Sequence, residues 1–259
     1  MRPITRERNP PAVVYVQNAH IHKGAQKWRV CTLNVCREYD TDPTVFDNGD
    51  YKFTSEFGYK EYRNSLLNTI GKKCCYCEKP IAEGEIEHFR PKAGYKTGRN
   101  SPLIQPGYYW LAYRWDNMLL SCDECNDQKR KGNLFPLRNE GSRATNRSIP
   151  ISQEDPILID PSKEDPNNHI TFNLERPIGL DNRGNEVIEI FELKTRGDLV
   201  DERLGKIRNF SLAKKISQLR PGDFTQSEIN EHKTYVKEYK DPKAPFSGMI
   251  CENIKRGIL

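Results

Sequence analysis

Two stretches of the 259-residue chain carry residue types that can hold a metal and move protons: CCYCEKPIAEGEIEHFRPK from position 74 and SCDECNDQK from position 121. Cys74 and Cys77 are spaced as CxxC, and Cys122 and Cys125 repeat the spacing. Two thiolates on one tight turn occupy one edge of a tetrahedron, so two such turns complete the four-coordinate shell that zinc favours. A shell closed by four cysteines leaves no open position, and the expected zinc is therefore structural. Cys75 is an alternative to Cys74 that would give the less usual CxC spacing; Cys74 is favoured. Cys31, Cys36 and Cys251 suggest a second site, but no fourth ligand accompanies them, and they read better as buried thiols packing as small hydrophobes.

Between the two knuckles Glu87 precedes His88, and Asn126 directly follows the last cysteine. An imidazole with an ordinary pKa of about 6.5 can take a proton from water at neutral pH. Oxygen donors such as Glu and Asn suit magnesium, which prefers hard ligands. Adjacent side chains on a strand point to opposite faces, so Glu87 and His88 share a site only where the backbone bends or a helix closes over the strand end. His20, His22, His169 and His232 lack such companions and read as structural or surface residues.

The elements that must position these groups follow from periodicity. In FGYKEYRNSLLNTIGKK, Tyr59, Tyr62, Leu66, Leu67 and Ile70 recur at helical spacing and Gly71 fits a C-cap. KCCYCEKP and IEHFRP, split by the turn-forming AEGE, read as a short hairpin with a metal knuckle at its start. KAGYKTGRNSPLIQPG reads as an exposed basic loop. Tyr108, Tyr109, Trp110, Tyr113 and Trp115 either stack on bases or form a core under a metal finger, and the core is favoured. CDECNDQKRKGN resembles a knuckle opening a short helix that Gly132 and Asn133 stop. Alternating runs at residues 12–16 and 28–33 suggest short strands. Beyond residue 148 PILID, HITFNL and EVIEIFEL look like strands, and helical patterns follow at about residues 195–219 and 225–239. These changes divide the chain into an N-terminal segment (1–71), a core (72–147) and a C-terminal α+β region (148–259).

Charge is concentrated in the middle. Residues 72–147 carry 14 Lys and Arg against 9 Asp and Glu, whereas residues 148–259 carry 17 against 19. A basic middle suits a polyanion partner as well as a solvated mixed-charge face. No apolar run reaches the roughly 20 residues of a membrane span. The opening MRPITRERNPPAVV has no apolar export signal. The expected address is the cytoplasm, where paired cysteines are more often metal ligands or catalytic groups than disulfides.

The order CxxC, EHFRP, WDNMLLSCDECN and a following Lys resembles the cysteine-bearing branch of the HNH endonucleases, members of the ββα-metal (His-Me finger) superfamily. MRPI, LIDPSKEDPNNHITF and ELKTRGDLVDERL are similar to the PtuB-like HNH nucleases of bacterial Septu and retron anti-phage systems, a likeness over roughly residues 1–210. The resemblance implies an α+β fold: a ββα-metal HNH core with a four-cysteine zinc knuckle, embedded in additional helices and short strands. It implies a metal-dependent endonuclease that hydrolyses phosphodiester bonds, in DNA rather than RNA, with structural Zn2+ and catalytic Mg2+ or Mn2+. On this reading His88 is the general base, Glu87 and Asn126 hold the catalytic cation, and Asn117 is the structural HNH asparagine tying the loop before His88. Arg90, Lys92, Lys129, Arg130 and Lys131 would grip substrate. Glu87 stands where most of the superfamily has Asp, and Asn126 where His is common. The implied partners are nucleic acid and an ABC/AAA-type ATPase subunit (PtuA-like) docking on the region after residue 148. A retron reverse transcriptase with its RNA–DNA hybrid is a further implied partner, and no membrane is. The competing readings are an effector cleaving RNA, such as tRNA, and a zinc-stabilised adaptor that binds nucleic acid without cutting it.

Overall fold

The computed structural model of the chain describes residues 1–4, 27–54 and 59–259. The run at residues 12–16, His20 and His22 lie outside them. The chain groups into two compact units, one formed by residues 6–68 and 83–158, the other by residues 1–5, 69–82 and 159–259. Both mix helices with small sheets, an α+β architecture.

In the first unit α1 (Lys27–Thr41), α2 (Thr44–Asp47) and α3 (Tyr59–Ile70) precede a two-stranded antiparallel sheet of β1 (Glu85–His88) and β2 (Met118–Ser121). A single helical turn, α4 (Asp123–Asn126), follows β2 directly. The expected α3 forms with its apolar face inward. Tyr62, Leu66 and Ile70, four residues apart, are buried, each contributing about 1.5–3 kcal/mol. Gly71 ends it at φ +90°, and a Cβ there would lie 2.3 Å from the Lys243 carbonyl oxygen.

Residues 28–33 are not a strand: they lie inside α1, where the inward positions Val35 and Cys36 lie beyond the window that showed alternation. Tyr39 stacks on Tyr109 with centroids 4.1 Å apart. Tyr108, Tyr109, Trp110, Tyr113 and Trp115 are all buried, so this aromatic run is core rather than a stacking platform. IEHFRP does not pair with KCCYCEKP. The latter closes on itself through a bridge between Lys73 and Pro80, and β1 pairs with β2 in the register Glu87 to Leu119 and His88 to Met118. α4 ends at Asn126 rather than at Gly132 and Asn133, because Asp127 turns to ψ 148°.

Residues 149–158 bond back into the first unit. Ile157 donates its N–H to the Pro136 carbonyl, and the Glu154 carboxylate accepts from Arg90, Tyr108 and Ala144. PILID accordingly makes only an isolated bridge, Leu137 to Pro156.

In the second unit HITFNL supplies β3 (Ile170–Asn173), paired antiparallel with β4 (Arg176–Gly179). EVIEIFEL is helical instead: α5 (Asn182–Ile190) starts where the Asp181 side chain accepts the Gly184 N–H, and it buries Val187, Ile188 and Ile190. An N-cap and tertiary burial override the β preference of its branched residues. The expected later helices are α6 (Gly197–Ser217) and α7 (Gln226–Glu238), the second opened by a Thr225/Glu228 capping box; α8 (Ser247–Lys255) follows. Among the described residues, no helix is long and apolar enough to cross a membrane.

Candidate active site

β1, β2 and α4 place Glu87, His88 and Asn126 on the wall of one cavity of about 470 Å³, which Arg63, Lys92 and Asn133 also line. Every residue of β1 contributes to this wall. The cavity therefore runs along the strand, and neighbours that alternate in face both reach it.

His88 is half-buried, and its Nε2 lies 2.8 Å from the Ala112 carbonyl oxygen. A carbonyl only accepts, so Nε2 carries the proton and Nδ1 is the basic nitrogen. Burial pushes the imidazole pKa down to about 3, with help from the nearby Lys92 and Lys131 ammonium groups, so the ring is neutral at pH 7. Lys92 is itself lowered to about 8 by burial. Its ammonium lies 5.2 Å from the centroid of the Phe53 ring.

Asn117 fixes the surroundings of His88. Its Oδ1 accepts the Arg90 N–H at 2.9 Å, and its Nδ2 donates to the Arg90 carbonyl at 3.0 Å and the Leu111 carbonyl at 3.2 Å. Its own carbonyl accepts the Phe89 N–H at 2.9 Å. The side chain thus ties the residues just after His88, not a loop before it, to the turn that carries Ala112.

Asn126 donates through Nδ2 to Glu85 at 2.7 Å, which leaves its Oδ1, the hard donor, outside that bond. Glu87 is buried with Lys131, Nζ to Oε1 2.8 Å. Sequence reasoning passed over Glu85, although strand alternation puts position 85 on the same face as position 87. It also passed over Arg63, more than twenty residues away in α3. Glu85, Glu87 and Asn126 line one cavity with side chains of the oxygen-donor type that magnesium prefers.

The expected phosphate-gripping residues divide. Lys92 lines this cavity, and Lys129 and Arg130 line a neighbouring one. Arg90 and Lys131 do not reach out to substrate. Arg90 is 6 % exposed, with its Nε 2.7 Å from Glu154 Oε2 and its guanidinium 5.3 Å from the Phe135 centroid. Lys131 is fully buried; its ammonium forms the ion pair with Glu87 and donates to the His88 and Gly132 carbonyls at 3.3 Å. A cation with a buried carboxylate partner is held in place by that partner, because separating the pair would strand a charge in low dielectric. Both residues support the strand end from behind.

The sulfur atoms of Cys74, Cys77, Cys122 and Cys125 all lie within 4.8 Å of one another, and all four residues are buried. Four sulfurs at about 2.3 Å from a tetrahedral zinc would lie about 3.8 Å apart, so this cluster fits that ion. Cys74 rather than Cys75 belongs to it. The first turn is closed by the Glu78 N–H to the Cys74 carbonyl, 3.0 Å, with Glu78 at φ +61°; the second by the Asn126 N–H to the Cys122 carbonyl, 3.1 Å. The second knuckle thereby orients Asn126. Among the described residues Cys31, Cys36 and Cys251 join no such cluster. His169 has acidic companions after all: Asp181 lies 2.7 Å from its Nδ1 and Glu164 3.3 Å from its Nε2, beside the start of α5.

The Septu protein PtuB of Bacillus mycoides (strain KBAB4) is 32% identical to this chain over 231 residues, spanning 78% of the chain and 77% of that relative. A Septu protein PtuB of Bacillus thuringiensis is 28% identical over 174 residues, 62% of this chain and 55% of that protein. No family model and no solved structure matches the chain.

Proposed function

The chain belongs to the Septu PtuB family, and from that premise we propose that it is an HNH endonuclease, the anti-phage effector of a two-component system completed by a PtuA-like ATPase. A retron reverse transcriptase with its RNA–DNA hybrid would be a further partner where such a system supplies one. The observation that carries the catalytic reading is the shared cavity. It gathers a histidine of fixed tautomer, two carboxylates and an amide oxygen on a strand–strand–helix unit.

In this reading a phosphodiester enters the cavity and His88 Nδ1 takes the proton of the attacking water as the new P–O bond forms. Burial keeps the ring in its accepting form through the neutral range. An anionic phosphate beside it raises its pKa again, because the imidazolium is then the favoured form. The Ala112 carbonyl stabilises the protonated ring through Nε2–H. Glu85, Glu87 and Asn126 would hold magnesium, which when bound supplies Lewis-acid stabilisation of the phosphorane and the leaving 3′ oxygen. Lys92, which also lines the cavity, offsets phosphate charge. Zinc on the four cysteines would keep the second knuckle, and hence Asn126, in register with β1. The region after residue 148 would dock the ATPase.

The test is a digest of DNA and RNA substrates with and without magnesium, and with and without the neighbouring ATPase. Magnesium-dependent cutting of DNA supports the proposal. Cutting of RNA alone would move the target, and cutting of neither under any combination would refute nuclease activity.

A further inference from the structure

A second concavity, of about 260 Å³, adjoins the candidate active site and shares Gln128 and Asn133 with it. Four cations line it: Lys96 and Arg99 from the loop after the first knuckle, and Lys129 and Arg130 from the loop after α4. No Asp or Glu lines it. A cleft lined by one sign of charge focuses the field and raises the local concentration of the opposite ion, so this concavity suits an anion.

The two cationic loops are held rather than splayed. The Lys96 N–H donates to the Asn133 carbonyl at 2.8 Å and the Lys96 carbonyl accepts the Phe135 N–H at 2.9 Å, so Lys96 is stitched beside residues 133–135. Tyr95 and Ile104 exchange two backbone bonds of 2.9 and 2.8 Å, closing a loop that presents Arg99. On the other side the Asp127 carboxylate accepts the Lys129 N–H at 2.8 Å, and Arg130 Nη1 donates to the Glu124 carbonyl at 3.0 Å. Gly132, at φ +35°, lets this loop fold against Gln128: a Cβ there would come within 2.8 Å of the Gln128 Cα.

We infer that this concavity is a phosphate subsite for the nucleic-acid strand being cut, holding a backbone phosphate that flanks the scissile bond while the bond itself lies in the neighbouring cavity. The inference rests on the nuclease reading above and adds the path of the strand, from His88 and Lys92 across Gln128 and Asn133 to Lys96, Arg99 and Lys129. Gln128 and Asn133 are the neutral donors between the two phosphate positions. The subsite grips backbone charge and reads no base, so it serves any sequence.

The test compares the full chain with the double variant Lys96→Ala/Arg99→Ala, binding a fluorescent DNA oligonucleotide across a salt series, followed by cleavage in magnesium. Each phosphate contact contributes about 0.7–0.9 to the slope of log affinity against log salt. The variant is expected to bind roughly tenfold more weakly near physiological salt, with a slope shallower by about 1 to 2. Its cleavage should show a raised KM and a kcat within a factor of two or three of the parent's. The same result with Lys129→Ala, one contact instead of two, would reinforce it. If the parent binds and cuts DNA but the double variant keeps its affinity and salt slope, the subsite is overturned and the nuclease reading stands. If the parent binds DNA with the expected salt slope yet never cuts, the nuclease reading fails. Weakened binding by the variant would then still support a phosphate site.

Discussion

Replacing Asn117 with alanine isolates the scaffold from the chemistry, because Asn117 does not line the cavity yet bonds the segment just after His88 to the turn that carries Ala112. The side chain makes three hydrogen bonds of 2.9, 3.0 and 3.2 Å, all to backbone groups and all buried. At about 1–1.5 kcal/mol net for each, their loss costs about 3–4.5 kcal/mol. For a chain of this size that corresponds to a fall in melting temperature of roughly 10 °C. The Leu111–Ala112 turn would then be unpinned, and with it the carbonyl that orients the imidazole. A displacement of about 1 Å in a reacting group costs about a hundredfold in rate, so kcat should drop by that order while KM changes little. Asn117→Asp keeps the acceptor for the Arg90 N–H but sets a carboxylate oxygen against two carbonyls, and it should be no more stable than the alanine variant. Calorimetry or thermal circular dichroism gives the stability, and single-turnover cleavage gives the rate. A variant that melts with the parent, or one that melts early yet cuts at the parental rate when cold, would refute the claim that Asn117 holds His88 in place.

Metal analysis of the purified chain should find about one tightly held zinc, retained in Cys75→Ser and lost in Cys77→Ser or Cys125→Ser; equal loss in Cys75→Ser would displace Cys74 from the ligand set. Lys92 loses its charge as pH rises through about 8, so kcat/KM should bend downward above that value. Lys92→Arg should abolish the bend, and a bend that persists in this variant would assign it to another group. Arg90→Ala should destabilise the fold by about 3–5 kcal/mol through the stranded Glu154 carboxylate. It should leave the salt dependence of DNA binding unchanged; a shallower slope would return Arg90 to the substrate interface.

What the sequence made legible was local. The CxxC spacings, the α3 stripe with its terminal glycine and the adjacency of Asn126 to Cys125 are set within a few residues, and each appears where spacing put it. The partner of β1 is not local: Glu85 and Ser121 are separated by a long basic and aromatic segment, and nothing in IEHFRP distinguishes β2 from the nearer KCCYCEKP. The buried roles of Arg90 and Lys131 were hidden for the same reason. A cation in a basic stretch looks like a phosphate ligand until a carboxylate such as Glu154, 64 residues on, is seen to meet it. Glu85 could have been found by counting two back from Glu87. α1 and α5 misread as strands because their branched residues alternate over a short window, while a signal that marks each as helical lies outside it: the inward positions Val35 and Cys36 for α1, the Asp181 cap for α5.

Cleavage by His88→Ala tests the central claim most directly, measured in single turnover with magnesium and the partner ATPase, beside zinc content and a melting curve. The expected result is a loss of at least about a hundredfold in the cleavage step, with zinc bound and the fold retained. Cutting at the parental rate by a folded, zinc-loaded His88→Ala chain would contradict it.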